Sequence, residues 1–260
     1  YIDVAAPTSD IRIESNKGSE MSQQPTQSSL HGKRALVTGA SGGIGCEIAR
    51  ALDRCGVSVC LTGRKTNALE LLATELDNPA MTASVDLQDE NALLALAARV
   101  RDELGEIDIL VNCAGVLPIK PLIETTTAEF DACLSVNLRA PFILCREFAP
   151  GMQQRRWGRI VNIASSSAYS GFANSSVYCA SKHGLLGLSR SLFNEMKNDN
   201  VRTFCISPGS VRTEMGRQIK HQDPDTFIDP QEMGRFVVDT IAYDGHMIAE
   251  EVRLNRMFVQ

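Results

Sequence analysis

The 260-residue sequence has no run of eighteen apolar residues, so it offers no candidate membrane-spanning helix. It also lacks an excess of positive charge: 26 basic residues against 31 acidic ones leave a net −5, which gives no general attraction for nucleic acid or anionic lipid. The short basic cluster Arg155-Arg156-Trp157 reads as a solvated helix end. Histidines 31, 183, 221 and 246 do not cluster, and the eight cysteines form no Cys-x-x-Cys pair, so no metal site is expected. Most of those cysteines sit in apolar segments and read as small buried residues in a reducing compartment, which points to a cytoplasmic protein. Cys179, beside Tyr178, is read as filler of the same kind. There is no internal repeat and no sign of a second domain.

Residues 1–29 are polar and lack sustained apolar periodicity, and no basic stretch is followed by an apolar one as in a secretory signal. Met21 opens Met-Ser-Gln-Gln-Pro, which reads as a natural start. On that reading 1–20 are a vector-derived leader and 21–31 a short disordered arm, with a natural acidic-polar extension as the alternative. The folded domain is expected over 32–260.

Beyond that arm, β-branched runs alternate with helical patterns. Strands are predicted over 34–38, 57–62, 81–85, 107–111, 159–163, 201–206 and 250–254. Helices are predicted over 44–55, 67–76, 91–104, 127–152, 176–196 and 230–242, with the fourth bent near Asn137 and Pro141. Strands this apolar have no wet face. The alternation therefore predicts an α/β, doubly wound, Rossmann-type parallel sheet of about seven strands, with helices on both faces and ligands at the strands' carboxyl ends.

Thr38-Gly39-Ala40-Ser41-Gly42-Gly43-Ile44-Gly45 joins the first strand to the first helix. Glycines there permit a tight turn, and helix N-terminal N–H groups can receive a pyrophosphate. No Gly-Lys-Ser/Thr follows, which disfavours a nucleoside triphosphatase. The second strand ends in Gly63-Arg64 with no carboxylate for a ribose 2′-hydroxyl. An arginine there accommodates a 2′-phosphate, so NADP(H) is favoured over NAD(H), with Ser41 a second phosphate contact.

Tyr178 and Lys182 lie four residues apart, one helical turn, with Ser165 thirteen residues upstream. An ammonium beside a phenol favours the phenolate, which predicts a lowered tyrosine pKa suited to proton exchange with an alcohol or ketone.

Together these pieces resemble the short-chain dehydrogenase/reductase family, single-domain type, over about 33–255. The turn from Thr38 to Gly45, Asp86, Asn112-x-Ala114-Gly115, Asn137, Ser165, Tyr178-x-x-x-Lys182, Pro208-Gly209 and Thr213 occur in the family's order and spacing. The resemblance implies that Tyr178 is the general acid in reduction and the base in oxidation, and that Ser165 bonds the substrate oxygen. It implies that Lys182 holds the nicotinamide ribose and that Asn137 interrupts its helix to seat a relay water. Gly39, Ser41, Gly43, Ile44, Gly45 and Arg64 would receive the phosphates, with Asp86 and Leu87 flanking the adenine. Asn112, Ala114 and Gly115 would line the floor, and Pro208, Gly209, Val211 and Thr213 would pass the carboxamide.

Three departures stand out: Cys113 where a second Asn is common, Cys46 where some NADP-dependent members carry a basic residue, and a C-terminus without the frequent Gly-Gly end. The resemblance implies a homodimer or homotetramer packed through the 127–152 and 176–196 helices. Its substrate would be a small carbonyl or alcohol, in a pocket walled by Ser167, Asn174, Ser210, Met215 and the 212–228 segment. A 3-oxoacyl-thioester reductase, or a non-catalytic NAD(P) sensor on the same scaffold, are the alternatives.

Overall fold

The computed structural model describes residues 27–219 and 222–257. Seven strands, β1 (Arg34–Thr38), β2 (Ser58–Gly63), β3 (Met81–Ser84), β4 (Ile109–Asn112), β5 (Gly158–Ile163), β6 (Val201–Pro208) and β7 (Glu251–Leu254), form one sheet in the order 3-2-1-4-5-6-7. Every pairing is parallel. The order reverses between β1 and β4, which opens a crevice at their carboxyl ends where this topology binds ligands.

Side chains alternate across the strands and sort into two cores. Ala35 and Val37 of β1 face α1 (Gly43–Asp53) and α7 (Pro230–Ala242), with Ile48, Leu52, Val237 and Ile241 packed against them. Leu36 and Leu110 face the opposite layer, formed by α3 (Glu90–Glu103) and α5 (Ala140–Gln154), through Leu93, Leu96, Ile143 and Phe148. The shorter α2 (Thr66–Glu75) flanks β2, and α6 (Ser176–Met196) runs beside α4 (Thr127–Leu134). No helix among the described residues is long and apolar enough to cross a membrane.

Local sequence sets the helix ends. The Asp89 carboxylate accepts from the N–H groups of Asn91 (2.9 Å) and Ala92 (3.3 Å) to start α3. Thr126 and Glu129 form a reciprocal capping box at α4. Gly105, at φ +89, ends α3 in the left-handed region that favours glycine.

Two expectations change. The arm predicted to run to residue 31 stops sooner: Gln27–Leu30 form a 3-10 turn, Leu30 is fully buried in the core beside α7, and Ser29 Oγ donates to the Ala242 carbonyl at 2.9 Å. An apolar side chain with a core slot is enough to anchor the turn; the rest of the expected leader, 1–26, lies outside the described residues. The single bent helix over 127–152 is two helices joined by a π-turn, Ser135–Arg139, centred on Asn137. Pro141, two residues past the π-turn, has no N–H to give the Asn137 carbonyl, so it too leaves the helix ladder open at this point.

Candidate active site

The crevice is built first by one hydroxyl. Buried at the tip of β1, Thr38 Oγ1 accepts from the N–H groups of Cys113 (3.0 Å) and Ala114 (3.1 Å) and donates to the Val111 carbonyl at 3.3 Å. This locks the end of β4 against the glycine turn. Gly39 has φ +70, and a Cβ there would lie 2.8 Å from the backbone of Ala114. A Cβ on Gly45 would run into the Gly39 carbonyl oxygen, so the turn from Gly39 through Gly45 keeps its shape only with glycine at both ends. Gly43 faces Thr213 and Gly63 faces Ser41, where added Cβ atoms would fall 2.5 Å and 2.6 Å from those side chains. The turn is thus a close-walled cradle at the N-terminus of α1, bounded by β2, β4 and the loop after β6. A pyrophosphate fits this arrangement: backbone approaches closely, and helix N–H groups point inward.

Other expected contacts fall around the cradle. Arg64 is exposed just past β2, and Leu87 is buried while Asp86 is exposed, its carboxylate accepting from Gln88 N–H at 3.0 Å. The Asn112 side chain is turned beneath the floor, donating to Asn162 Oδ1 (2.8 Å), whose own amide donates to Ser189 Oγ at 2.9 Å. Gly209 N–H donates to the Leu254 carbonyl at 2.8 Å, Val211 bridges Ile228, and Thr213 Oγ1 accepts from Gly216 N–H at 3.1 Å. Those bonds hold Pro208 to Thr213 over the cradle. At its rim Lys65 Nζ meets Glu214 Oε2 at 3.2 Å.

Tyr178, Lys182 and Asn137 are all buried, and Lys182 from α6 and Asn137 from the π-turn approach Gly115. A Cβ on Gly115 would lie 3.4 Å from Asn137 Oδ1 and 3.8 Å from Lys182 Nζ. Asn137 uses its whole amide: Oδ1 accepts from Val116 N–H (2.8 Å), and Nδ2 donates to the Val116 carbonyl (2.9 Å) and to Ser181 Oγ (3.0 Å). Ser181 Oγ donates in turn to the Tyr178 carbonyl at 2.7 Å. Ser165 Oγ accepts from Ser167 N–H at 3.1 Å, which fixes the hydroxyl beside the phenol.

The electrostatics correct one expectation. Burial pushes the Tyr178 phenol up to about 12, and the Ser165 hydroxyl is the group that pulls it down. The ammonium of Lys182 does not do so, because Nζ donates to the Ile163 carbonyl at 2.8 Å and stands 5.8 Å from the phenol ring centroid. Burial likewise brings Lys182 down to about 8. Helical spacing sets both side chains one turn apart on α6, but desolvation rather than a charge interaction between them governs both shifts.

Of the expected pocket wall, Ser167 is buried, Asn174 adopts a left-handed backbone (φ +59), and Ser210 Oγ donates to Gln222 Oε1 at 2.7 Å. Met215 is half-buried in the loop after β6, whereas residues 220–221 of that segment lie outside the described residues. Sequence reasoning missed Thr38 and Ser181 as site-building residues. Each left a trace: a polar residue closing an apolar strand before glycine, and a small hydroxyl three residues after the tyrosine.

Comparison with known proteins agrees with this geometry. Residues 33–224 match the family model described as short chain dehydrogenase. Nodulation protein G of Rhizobium sp. (strain N33) is 40% identical over 186 residues, covering 72% of this chain and 76% of that protein. The 3-oxoacyl-[acyl-carrier-protein] reductase FabG of Rickettsia typhi is 32% identical over 213 residues, 82% of this chain and 87% of its own length. The crystal structure of a metagenomic short-chain oxidoreductase in complex with NADP superposes with a TM-score of 0.79 at 35% identity, covering 88% of this chain and 100% of that one. The chain belongs to the short-chain dehydrogenase/reductase family of oxidoreductases.

Proposed function

We propose that the protein moves a hydride between NADP(H) and a carbonyl or secondary alcohol, with Tyr178 as proton donor in reduction and acceptor in oxidation. One observation carries this reading: a buried phenol and a buried ammonium one helical turn apart, beside the Ser165 hydroxyl and next to a glycine cradle that only backbone can fill. Gly39, Ser41, Gly43, Ile44 and Gly45 would hold the pyrophosphate, and Arg64 with Ser41 the adenosine 2′-phosphate. Asp86 and Leu87 would flank the adenine, while Asn112, through its backbone, Ala114 and Gly115 would floor the nicotinamide. Pro208, Gly209, Val211 and Thr213 would cover the carboxamide. When bound, the nicotinamide supplies or takes the hydride.

The chain's own residues do the rest. Ser165 donates to the substrate oxygen and Tyr178 passes it a proton; a phenol at about 12 is fully protonated at neutral pH, as an acid must be. Lys182 orients the ribose and places positive charge where oxyanion character develops. Asn137 holds Val116 and Ser181, and with them the loop and helix turn that frame the phenol.

Tyr178→Phe is expected to lower kcat/KM for ketones by about 10²–10⁴-fold; unchanged cofactor oxidation by this variant would sink the catalytic reading in favour of a sensor. Arg64 supports NADPH binding about tenfold or more tighter than NADH, and equal dissociation constants would refute that preference. A 3-oxoacyl thioester is the second reading, supported by the likeness to the Rickettsia reductase. The eight free thiols, six of them buried, support a reducing, cytoplasmic setting. Exposed Phe130 on α4 and Phe142 on α5 support a homodimer or homotetramer; a monomeric mass by light scattering would exclude it.

A further inference from the structure

The loop after β4 starts at the floor, with Gly115 beside Lys182 Nζ, and climbs away from it. The loop between β5 and α6 leads down to Tyr178. The two meet where Lys120 N–H donates to the Asn174 carbonyl at 2.7 Å, and Phe172 joins the same junction through its carbonyl bond to Ser175 N–H. The two loops are thus tied together at this bond, one rising from Gly115 and the other leading to Tyr178, and they stand as two walls flanking the approach to the phenol.

Nine large apolar side chains are exposed among the described residues, and four of them, Ile119, Leu122, Ile123 and Phe172, fall on these walls. Ile123 is 94% exposed and Leu122 71%, far more than a chain-neutral surface requires. Charge is sparse: between 116–124 and 166–174 the ionisable head groups besides the Tyr169 phenol are Lys120, whose ammonium Glu129 grips at 2.9 and 3.1 Å, and the exposed Glu124 that ends the turn carrying Leu122 and Ile123. The Tyr169 ring lies under the Arg253 guanidinium, 4.3 Å away.

We infer that the carbonyl substrate carries an uncharged apolar chain, as an alkyl ketone or a 3-oxoacyl group does, and that this chain leaves the site across Ile119, Leu122, Ile123 and Phe172. The inference rests on the proposed carbonyl chemistry and adds to it the class of substrate. A polyol or sugar ketone would meet hydroxyl and amide groups on one wall only (Ser166, Ser167, Ser170 and Asn174) and would leave the apolar rim of Ile119, Leu122, Ile123 and Phe172 wet.

The test is kcat/KM with NADPH for 2-butanone, 2-hexanone, 2-octanone and 2-decanone. It is set beside 3-oxoacyl N-acetylcysteamine thioesters of matching length, a keto-polyol, and a ketone ending in a carboxylate. The apolar mouth predicts a rise of about three- to fourfold per added methylene over at least four carbons. Phe172→Ala and Ile123→Ser, both at exposed positions, are expected to flatten that slope below about twofold. A higher ceiling for the thioesters would identify the 3-oxoacyl group as the source of the chain; an equal or lower one would identify a free ketone. A flat dependence, or preference for the keto-polyol or for the carboxylate (which Arg253 would then explain), overturns the apolar class. If Tyr178→Phe still abolishes turnover in that case, the catalytic reading survives. A slope that persists unchanged in both variants places the chain elsewhere and also overturns the inference. Turnover that survives Tyr178→Phe removes the catalytic reading and this one with it.

Discussion

Lys182 and Tyr178 are both buried, and burial raises the phenol while it depresses the ammonium, because in each case the neutral form is favoured. A protonated phenol suits reduction, but a lysine at about 8 is close to losing the charge that the proposed reaction would use. Reductive kcat/KM should therefore hold from pH 6 to about 7.5 and fall as pH passes 8, well before the tyrosine ionises near 12. A profile flat to pH 10 would refute this. The same shift has a stability consequence. Below pH 8 the lysine is protonated in both folded and unfolded chains, and the fold bears the desolvation cost. Between about 8 and the ordinary value of 10.5 only the folded state sheds the proton, so stability rises with pH, by on the order of 3 kcal/mol. Lys182→Met should lack this rise and melt no lower than the native protein at pH 7, while losing about a hundredfold or more in kcat/KM. Melting well below native at pH 7 would show instead that the bond to Ile163 dominates.

Among elements, the glycine turn and α1 were legible in the sequence because they are local: a strand, a tight turn and a helix start within twelve residues. The caps Asp89, Thr126 and Asp229 are local too. The π-turn is not. Its geometry is held by Asn137 reaching Val116 and Ser181, 21 and 44 residues away, and no periodicity within 127–152 encodes those bonds. The first strand and helix illustrate how little freedom the cradle has. Gly45→Ala would push a methyl group into the Gly39 carbonyl oxygen, and the turn must open to relieve it. Relief of such overpacking costs about 1–3 kcal/mol. The NADPH dissociation constant should then rise about ten- to hundredfold, with the far-ultraviolet circular dichroism unchanged. Unaltered affinity for NADPH would mean that the turn does not seat the phosphates.

Across the whole molecule, the residues of the proposed site gather at the carboxyl edge of the sheet, and a buried arginine ties down the opposite one. Arg159, the second residue of β5, has its side chain fully buried, donating to the carbonyls of Ile241 (3.1 Å) and Gly158 (2.9 Å) and to Asp244 Oδ1 at 2.6 Å. Its guanidinium lies 4.3 Å from the Trp157 ring, and Arg202 reaches the same carboxylate at 3.1 Å. The segment after α7 is thereby tied to the sheet that α7 covers. The sequence showed Arg159 only as the start of a strand, since its partner lies 85 residues further on. Removing the carboxylate strands a buried cation, but Asp244 is 45% exposed, so water softens the loss. Asp244→Ala should cost about 2 kcal/mol and lower Tm by roughly 4–8 °C, with kcat/KM within about twofold of native because the phenol stands at the far edge of the sheet. Adding Arg159→Met removes the stranded charge, and the double variant should recover part of the lost stability. A double variant less stable than Asp244→Ala would mean that the carbonyl bonds of Arg159, rather than its ion pair, hold this edge together.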